Sequence, residues 1–403
     1  MNILWGIFGI LVVLGIGFLI SRNRRSINPR TILIGLLIQL SFAFIVLKWE
    51  TGRAALKWIS MRVQDIVNYA NEGISFLFGS LSNTDEFGVI FAIHVLTIII
   101  FFSSLISILY YLGIMQWFIK IIGGALSKLL GTSMTESMSA AANIFVGQTE
   151  APLVIRPYLA KMTNSELFAV MTGGLASVAG SVLVGYALLG VPLEYLLAAS
   201  FMAAPAGLIL AKIIMPETEH SNIKDYEMQK DSESTNVIDA AARGASDGLQ
   251  LALNVGAMLL AFIALIALIN GILSGLGGIF GYNALSLESI LGIIFSPIAF
   301  AVGVPWAEAI TAGSFIGQKL VLNEFVAYSY FAPQIPELSE KTVIVVSFAL
   351  CGFANLSSMA ILLGGLGGLA PSRRSDIAKL GLRSVAAGML ASLLSAAIAG
   401  MFI

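Results

Sequence analysis

The stretch Asn143-Ile144-Phe145-Val146-Gly147-Gln148-Thr149-Glu150-Ala151-Pro152 puts two amides, a hydroxyl and a carboxylate inside a run that otherwise has the composition of a membrane interior. Polar groups in hydrocarbon are costly, and where they persist they mark function. The surrounding segment, 133–158, also holds Glu136 and Arg156 and is too polar to cross a bilayer. Lys128 before it and Arg156 and Lys161 after it carry charge of the cytoplasmic type. A re-entrant hairpin that enters and leaves on the inner side is therefore expected, since irregular backbone at membrane depth is tolerated only where it lines protein or a cavity.

The rest of the chain supports a membrane reading. Of 403 residues, 58% are hydrophobic and only 11% charged, which excludes an ordinary soluble domain. The apolar runs are continuous and long, unlike the alternating strands of a barrel. The net charge of -1 comes from charges gathered in loops, with no basic patch for nucleic acid. The lone Cys351 lies in an apolar run and reads as a packed side chain.

Transmembrane helices need about 20 apolar residues, and 3–20 and 32–47 meet this loosely. Arg22, Arg24, Arg25 and Arg30 between them place that loop in the cytoplasm and the N-terminus outside. Residues 1–20 have no basic leader region, so this first span is expected to be retained. Segment 53–78 repeats apolar residues at helical spacing with charges on its other faces, as an amphipathic helix on the outer surface does. A span over 87–117 returns inward, and its His94 reads as a packed, hydrogen-bonded residue. A short interfacial helix over 115–130 then leads into the hairpin.

After the hairpin come a span over 166–189, interrupted by the glycine- and serine-rich run 173–181, and a span over 192–214. The only long hydrophilic segment, 216–247, is expected to link two halves in the cytoplasm, and 249–273 crosses outward. The grammar then repeats. An interfacial helix at 287–300 precedes a second polar hairpin, 303–330, with Glu308, Gln318, Lys319, Asn323 and Glu324. A broken span over 343–366 follows, interrupted at 351–358. Arg373, Arg374, Lys379 and Arg383 hold the next loop inside, and 385–403 ends outside, so both termini are expected outside.

Ile144-Phe145-Val146-Gly147-Gln148 resembles Ser314-Phe315-Ile316-Gly317-Gln318, and each hairpin carries a glutamate shortly afterwards. Because the two hairpins enter from opposite sides, the repeat is inverted, the arrangement that puts a transporter's substrate site between broken helices near the midplane. The expected fold is an all-α polytopic membrane protein with eight transmembrane helices, two opposed re-entrant hairpins and an outer amphipathic helix. Its parts would be scaffold spans over 1–114, a first transport repeat over 115–215, the linker over 216–247, one more scaffold span over 248–275 and a second transport repeat over 284–403.

Three strings are more specific than the repeat: Gly147-Gln148-Thr149-Glu150-Ala151-Pro152-Leu153; Gly317-Gln318-Lys319 with Asn323-Glu324-Phe325-Val326-Ala327-Tyr328; and Cys351-Gly352-Phe353-Ala354-Asn355-Leu356-Ser357-Ser358. Together they resemble the concentrative nucleoside transporter family in its shorter bacterial form, over nearly the whole chain. The resemblance implies a homotrimer in the bacterial inner membrane that imports a uridine-like nucleoside on a sodium gradient and uses no cofactor. It implies that Gln148, Thr149 and Glu150 meet the nucleobase with Val182 beside them. Glu324, Asn355 and Ser358 would hold the ribose, and Phe353 would pack on base or sugar. The sodium site maps to the Asn143 and Ser177 side chains with the Val146 and Val178 carbonyls.

Residue chemistry supports this separately. A nucleoside has a flat, amide-edged base and a sugar with vicinal hydroxyls, which call for amide and hydroxyl groups on one side and carboxylate and amide acceptors on the other. Sodium is a hard cation, and amide, hydroxyl and freed carbonyl oxygens bind it without a formal charge, as a releasable site. The bland alternative for Glu150 and Glu324 is an ion pair with Arg156 or Lys319. Glu136 and Glu308 divide between capping and function. Gly364-Gly365-Leu366-Gly367-Gly368 lacks the Lys-Ser/Thr of a phosphate loop and reads as packing. An intramembrane enzyme would need a nucleophile with an adjacent base, a paired histidine or a metal cluster, none of which the sequence offers. A passive channel would not accumulate substrate. Proton coupling through an intramembrane glutamate is the runner-up to sodium.

Overall fold

The computed structural model describes residues 2–88, 90–219, 221, 223, 234–279 and 285–403. Its regular elements are all helical among the described residues. The opening spans are α1 (Asn2–Leu19) and α2 (Pro29–Ala43), the latter extended by one wider turn over Phe44–Lys48. The amphipathic α3 (Glu50–Phe78) follows, about a turn longer than expected because Glu50 starts it. Short turns α4 (Thr84–Phe87) and α5 (Phe91–His94) lead into the third span, α6 (Leu96–Tyr111). His94 is packed as expected: its Nδ1 accepts from the Ile90 N–H at 3.0 Å, which leaves Nε2 to donate to the Ser82 carbonyl at 3.1 Å.

The first repeat opens with the interfacial α7 (Ile114–Leu130), which Gly131 ends in a left-handed conformation (φ 71°) that other residues adopt at a cost. Hairpin 1 is α8 (Met134–Ala142), a turn over 143–150 and a tight helix over Ala151–Lys161. The broken span is α9 (Asn164–Ala176) and α10 (Gly180–Leu188), and α11 (Leu193–Ile214) returns. After the linker region comes α12 (Val237–Ile279), a single 43-residue helix. The second repeat has the same order: interfacial α13 (Leu287–Ala301), then α14 (Trp306–Val321) and α15 (Glu324–Phe331) as hairpin 2. The broken span α16 (Glu340–Leu350) and α17 (Leu356–Leu369) precedes α18 (Arg374–Ala399). Gly303 (φ 116°) does for the α13–α14 bend of 116° what Gly131 does before hairpin 1.

Among the described residues, seven helices are long and apolar enough to cross a membrane. The eighth span, α16 with α17, is cut in two by its own break. The expected linker over 216–247 is corrected by the structure: its last part is already helix from Val237, because Asp239 and the alanines that follow suit a helix start and the polar face continues into the apolar span. Residues 220, 222 and 224–233 of that expectation lie outside the described residues.

Burial separates the helices into two populations. The most apolar windows of the first broken span, α11 and the segment ending in α18 are 94%, 89% and 83% buried, whereas that of α12 is 17% buried, so the rest of the chain leaves most of α12's leucines and isoleucines uncovered. The end of α11 is held by ion pairing as well as by apolar packing. Lys212 at the end of α11 meets Glu136 at 2.6 Å and the Ser165 hydroxyl at 2.9 Å. Glu136 closes a capping box with Ser133, and Glu166 closes one with Thr163, so the starts of α8 and α9 are satisfied at the same corner. Glu308 accepts from the Ser339 N–H and hydroxyl at 3.1 and 2.7 Å, tying hairpin 2 to the start of α16. Glu136 and Glu308 are thus structural partners.

Candidate functional site

The two breaks meet in the middle of the molecule. The Phe353 N–H donates to the Ser177 carbonyl at 3.1 Å, joining the interruption of one repeat to that of the other. Gly352 permits this approach: a Cβ there would lie 2.9 Å from the Ala176 carbonyl oxygen and 2.7 Å from Ser392 Oγ.

Each hairpin reaches into this junction. Asn355 caps α17 by accepting the Ser358 N–H at 2.8 Å, which frees its Nδ2 to donate to Glu324 Oε2 at 3.1 Å. Gln148 on hairpin 1 reaches Ser358 Oγ at 3.4 Å. A polar line thus runs Gln148, Ser358, Asn355, Glu324 from one hairpin to the other. Gln148 Oε1 is buried and has no partner among the described residues. Gly174 makes room for this glutamine, since a Cβ at that position would lie 2.8 Å from the Gln148 Cβ. Gly365 does the same for Thr149, which explains one glycine of the run at 364–368 as packing.

Glu324 is the first residue of α15, where the helix end favours a carboxylate. Its Oε1 accepts from the Tyr186 hydroxyl at 3.0 Å. Lys319 does not pair with it: that fully buried ammonium donates to the Ala349 carbonyl at 2.8 Å and Ser392 Oγ at 3.0 Å. Glu150 accepts from Thr149 at 3.0 Å and is exposed to a cavity of about 460 Å³, whose lining includes Val146, Gly147, Arg156, Ser181 and Asp247. Val182 is buried on the first turn of α10, while Phe353 is partly exposed at the second break.

The residues expected around the ion also converge. Asn143 ends α8, and its Nδ2 donates to the Ser139 carbonyl at 2.9 Å while its buried Oδ1 has no partner among the described residues. It lies against the last turn of α9, with Nδ2 3.3 Å from where a Cβ on Gly173 would stand. Ser177, bonded to the Gly173 carbonyl at 3.0 Å, begins the break. Val146 is in the hairpin turn and Val178 in the break, and the Gly180 N–H to Phe145 carbonyl bond (3.0 Å) ties turn and break together. An orphaned amide oxygen beside two stretches of irregular backbone has the donor chemistry of a hard monovalent cation.

Sequence reasoning missed Tyr186, Ser200 and Lys212. Ser200 donates to the Ile144 carbonyl at 2.8 Å and so buttresses the hairpin turn from α11. The only signal for these residues was their polarity within apolar spans.

Inverted repeats, opposed hairpins and a polar junction at two helix breaks define a multi-spanning membrane transporter. Family models for the C-terminal and N-terminal parts of Na+ dependent nucleoside transporters match residues 195–400 and 8–81, and a nucleoside recognition (gate) model matches 92–193. The chain is 64% identical to the uncharacterised transporter YutK of Bacillus subtilis over the full length of both. It is 52% identical to the nucleoside permease NupC of Helicobacter pylori, over 99% of this chain and 98% of that one. Among solved structures, CNTnw in an inward-facing, substrate-bound state superposes with a TM-score of 0.95 at 56% identity, covering 100% of this chain and 98% of the other. A doubly substituted CNTnw in an outward-facing state gives 0.97 at 55% identity over the same shares. The chain belongs to the concentrative nucleoside transporter family and is a multi-pass membrane transporter for nucleosides, not an enzyme.

Proposed function

We propose that this transporter is a sodium symporter that imports uridine-like nucleosides by alternating access, with substrate bound between the two hairpins and the two broken spans. The observation that carries the reading is the polar line from Gln148 through Ser358 and Asn355 to Glu324, which joins groups suited to a base edge to groups suited to a sugar. Gln148, Thr149 and Glu150 bind the nucleobase with Val182 beside them. Glu324, Asn355 and Ser358 hold the ribose hydroxyls, and Phe353 packs on the ligand. Sodium takes the Asn143 and Ser177 side-chain oxygens and the Val146 and Val178 carbonyls. The unpartnered Asn143 Oδ1 and the Na+ dependence in the family description support that assignment.

The hairpins and broken spans, 115–215 and 284–403, move as a unit against a scaffold of 1–114 and α12. The cavity beside Glu150 is the inward path, reaching Arg243 and Asp247 at the start of α12. The active form is a homotrimer in the bacterial plasma membrane with both termini outside. Uptake of radiolabelled uridine into proteoliposomes tests this, with a sodium gradient, an imposed pH gradient or neither. Accumulation is expected with sodium alone. Accumulation that follows only the pH gradient would overturn sodium coupling, and failure of any nucleoside to accumulate would overturn the symport reading.

A further inference from the structure

Tyr186 is fully buried, and its position relates the two proposed sites. It lies on the second turn of α10, the half-helix that starts directly after the first break. Its ring stacks on Tyr328 with centroids 4.4 Å apart and meets Phe325 edge-on at 5.0 Å. Both rings belong to α15, whose first residue is Glu324, and the Tyr186 hydroxyl donates to that carboxylate. The two oxygens of Glu324 are therefore held from different repeats, Oε1 by Tyr186 of the first broken span and Oε2 by Asn355 of the second.

The other end of α10 is attached to the proposed ion site. Its first residue, Gly180, donates to the Phe145 carbonyl in the hairpin turn that carries Asn143 and Val146, and the residues just before it are Ser177 and Val178. From Gly180 to Tyr186 the helix rises roughly 9 Å, a rigid segment without an internal joint. We propose that Tyr186 is a positioning residue that couples ion to substrate. An ion between hairpin turn and break fixes the start of α10, and Tyr186 carries that order to Glu324 by holding its carboxylate in the orientation that accepts the ribose. The proposal rests on the sodium and ribose assignments made under Proposed function.

The test is uridine affinity of the purified protein from zero to saturating sodium, for the natural chain, Tyr186→Phe and Tyr328→Phe, with thermal unfolding measured alongside. Sodium is expected to tighten uridine binding by the natural chain. In Tyr186→Phe, which keeps the ring contacts, that sodium-induced gain should shrink roughly ten- to a hundredfold, the span of one hydrogen bond to a charged group. By reciprocity the effect of uridine on sodium affinity shrinks equally. Tyr328→Phe loses its 2.7 Å bond to the Ser347 carbonyl and should unfold at a lower temperature while keeping the full sodium gain. A full gain in Tyr186→Phe overturns the proposal and leaves the symport reading standing, whereas no gain in the natural chain overturns both. Amide hydrogen exchange on the natural chain needs no variant: sodium alone should slow exchange over 180–186 and 324–328, and protection confined to 143–149 and 177–180 overturns the proposal.

Discussion

At the scale of single residues, the site depends on atoms with no spare partner. Glu324 already accepts two hydrogen bonds, and an amide there keeps an acceptor for one of them, turns donors toward the other and removes the charge. Glu324→Gln should reduce uridine uptake at least tenfold, about 1.5 kcal/mol or more for hydrogen bonds to a charged group, while the protein still purifies as a folded species by size-exclusion chromatography. Unchanged uptake would contradict its ribose role. Gly174→Ala acts by contact: the added Cβ stands 2.8 Å from the Gln148 Cβ and 3.2 Å from its Cα, so hairpin 1 must shift. The expected outcome is a raised KM for uridine, and an unaltered KM would mean that Gln148 does not set affinity. Asn143→Ala removes the buried orphan oxygen and should raise the sodium concentration for half-maximal uptake about tenfold, again one charged contact. The motif residues Gln148, Asn143 and Glu324 were visible in sequence because polar letters stand out in an apolar run. Tyr186 was not, since an isolated tyrosine in a span reads equally well as core.

At the scale of elements, each break and bend has a local cause that sequence reading registered. Within the glycine and serine run at 173–181 the helix gives way at 177–179, between α9 and α10, and within 351–358 it gives way at 351–355, between α16 and α17. The helix starts in this region carry side-chain caps that only the structure assigned, Ser133, Thr163, Asn323, Ser339 and Asn355. The start of α12 was misjudged because 237–247 is polar enough to read as linker, and a helix can continue beyond the membrane with a polar face. Between elements, the Lys212–Glu136 pair joins α11 to hairpin 1 and is buried on both sides. Lys212→Met strands a buried carboxylate and should destabilise the protein by about 3–5 kcal/mol. The double variant Lys212→Met with Glu136→Gln should recover much of that loss in a thermal unfolding assay. Equal losses in the single and double variants would show that the pair is not what secures this corner.

At the scale of the whole molecule, polar contacts cross between the proposed scaffold and the proposed moving unit at several places, among them Trp5 to Phe300, Thr31 to Leu130 and Asn270 to Glu288. Gln39 on α2 makes another: its Nε2 donates to the Met202 carbonyl on α11 at 2.9 Å and to Ser395 Oγ on α18 at 3.2 Å. A sliding unit must break this contact in every cycle. With Cys351 replaced by serine, the pair Gln39→Cys and Ser395→Cys joined by a short thiol cross-linker should therefore stop uptake, and cleaving the linker should restore it. Transport that continues in the cross-linked protein would show that α2 and α18 do not slide past one another.

The sequence by itself determined the membrane class, the order of spans and hairpins, and their inversion. These follow from hydropathy, loop charge and the placement of polar strings, all of which act within a span or its flanks. Only the tertiary structure decided that the two breaks touch through Phe353 and Ser177, that Lys319 serves backbone and hydroxyl groups instead of a carboxylate, and that Tyr186 holds Glu324. Those pairings join residues far apart in the chain, from Lys319 and Ala349 to Phe353 and Ser177. They depend on how helices rotate and pack, which hydropathy does not encode because every one of these side chains sits in an apolar run. The opening polar stretch is thus half of a site whose other half was readable, but whose connections were not.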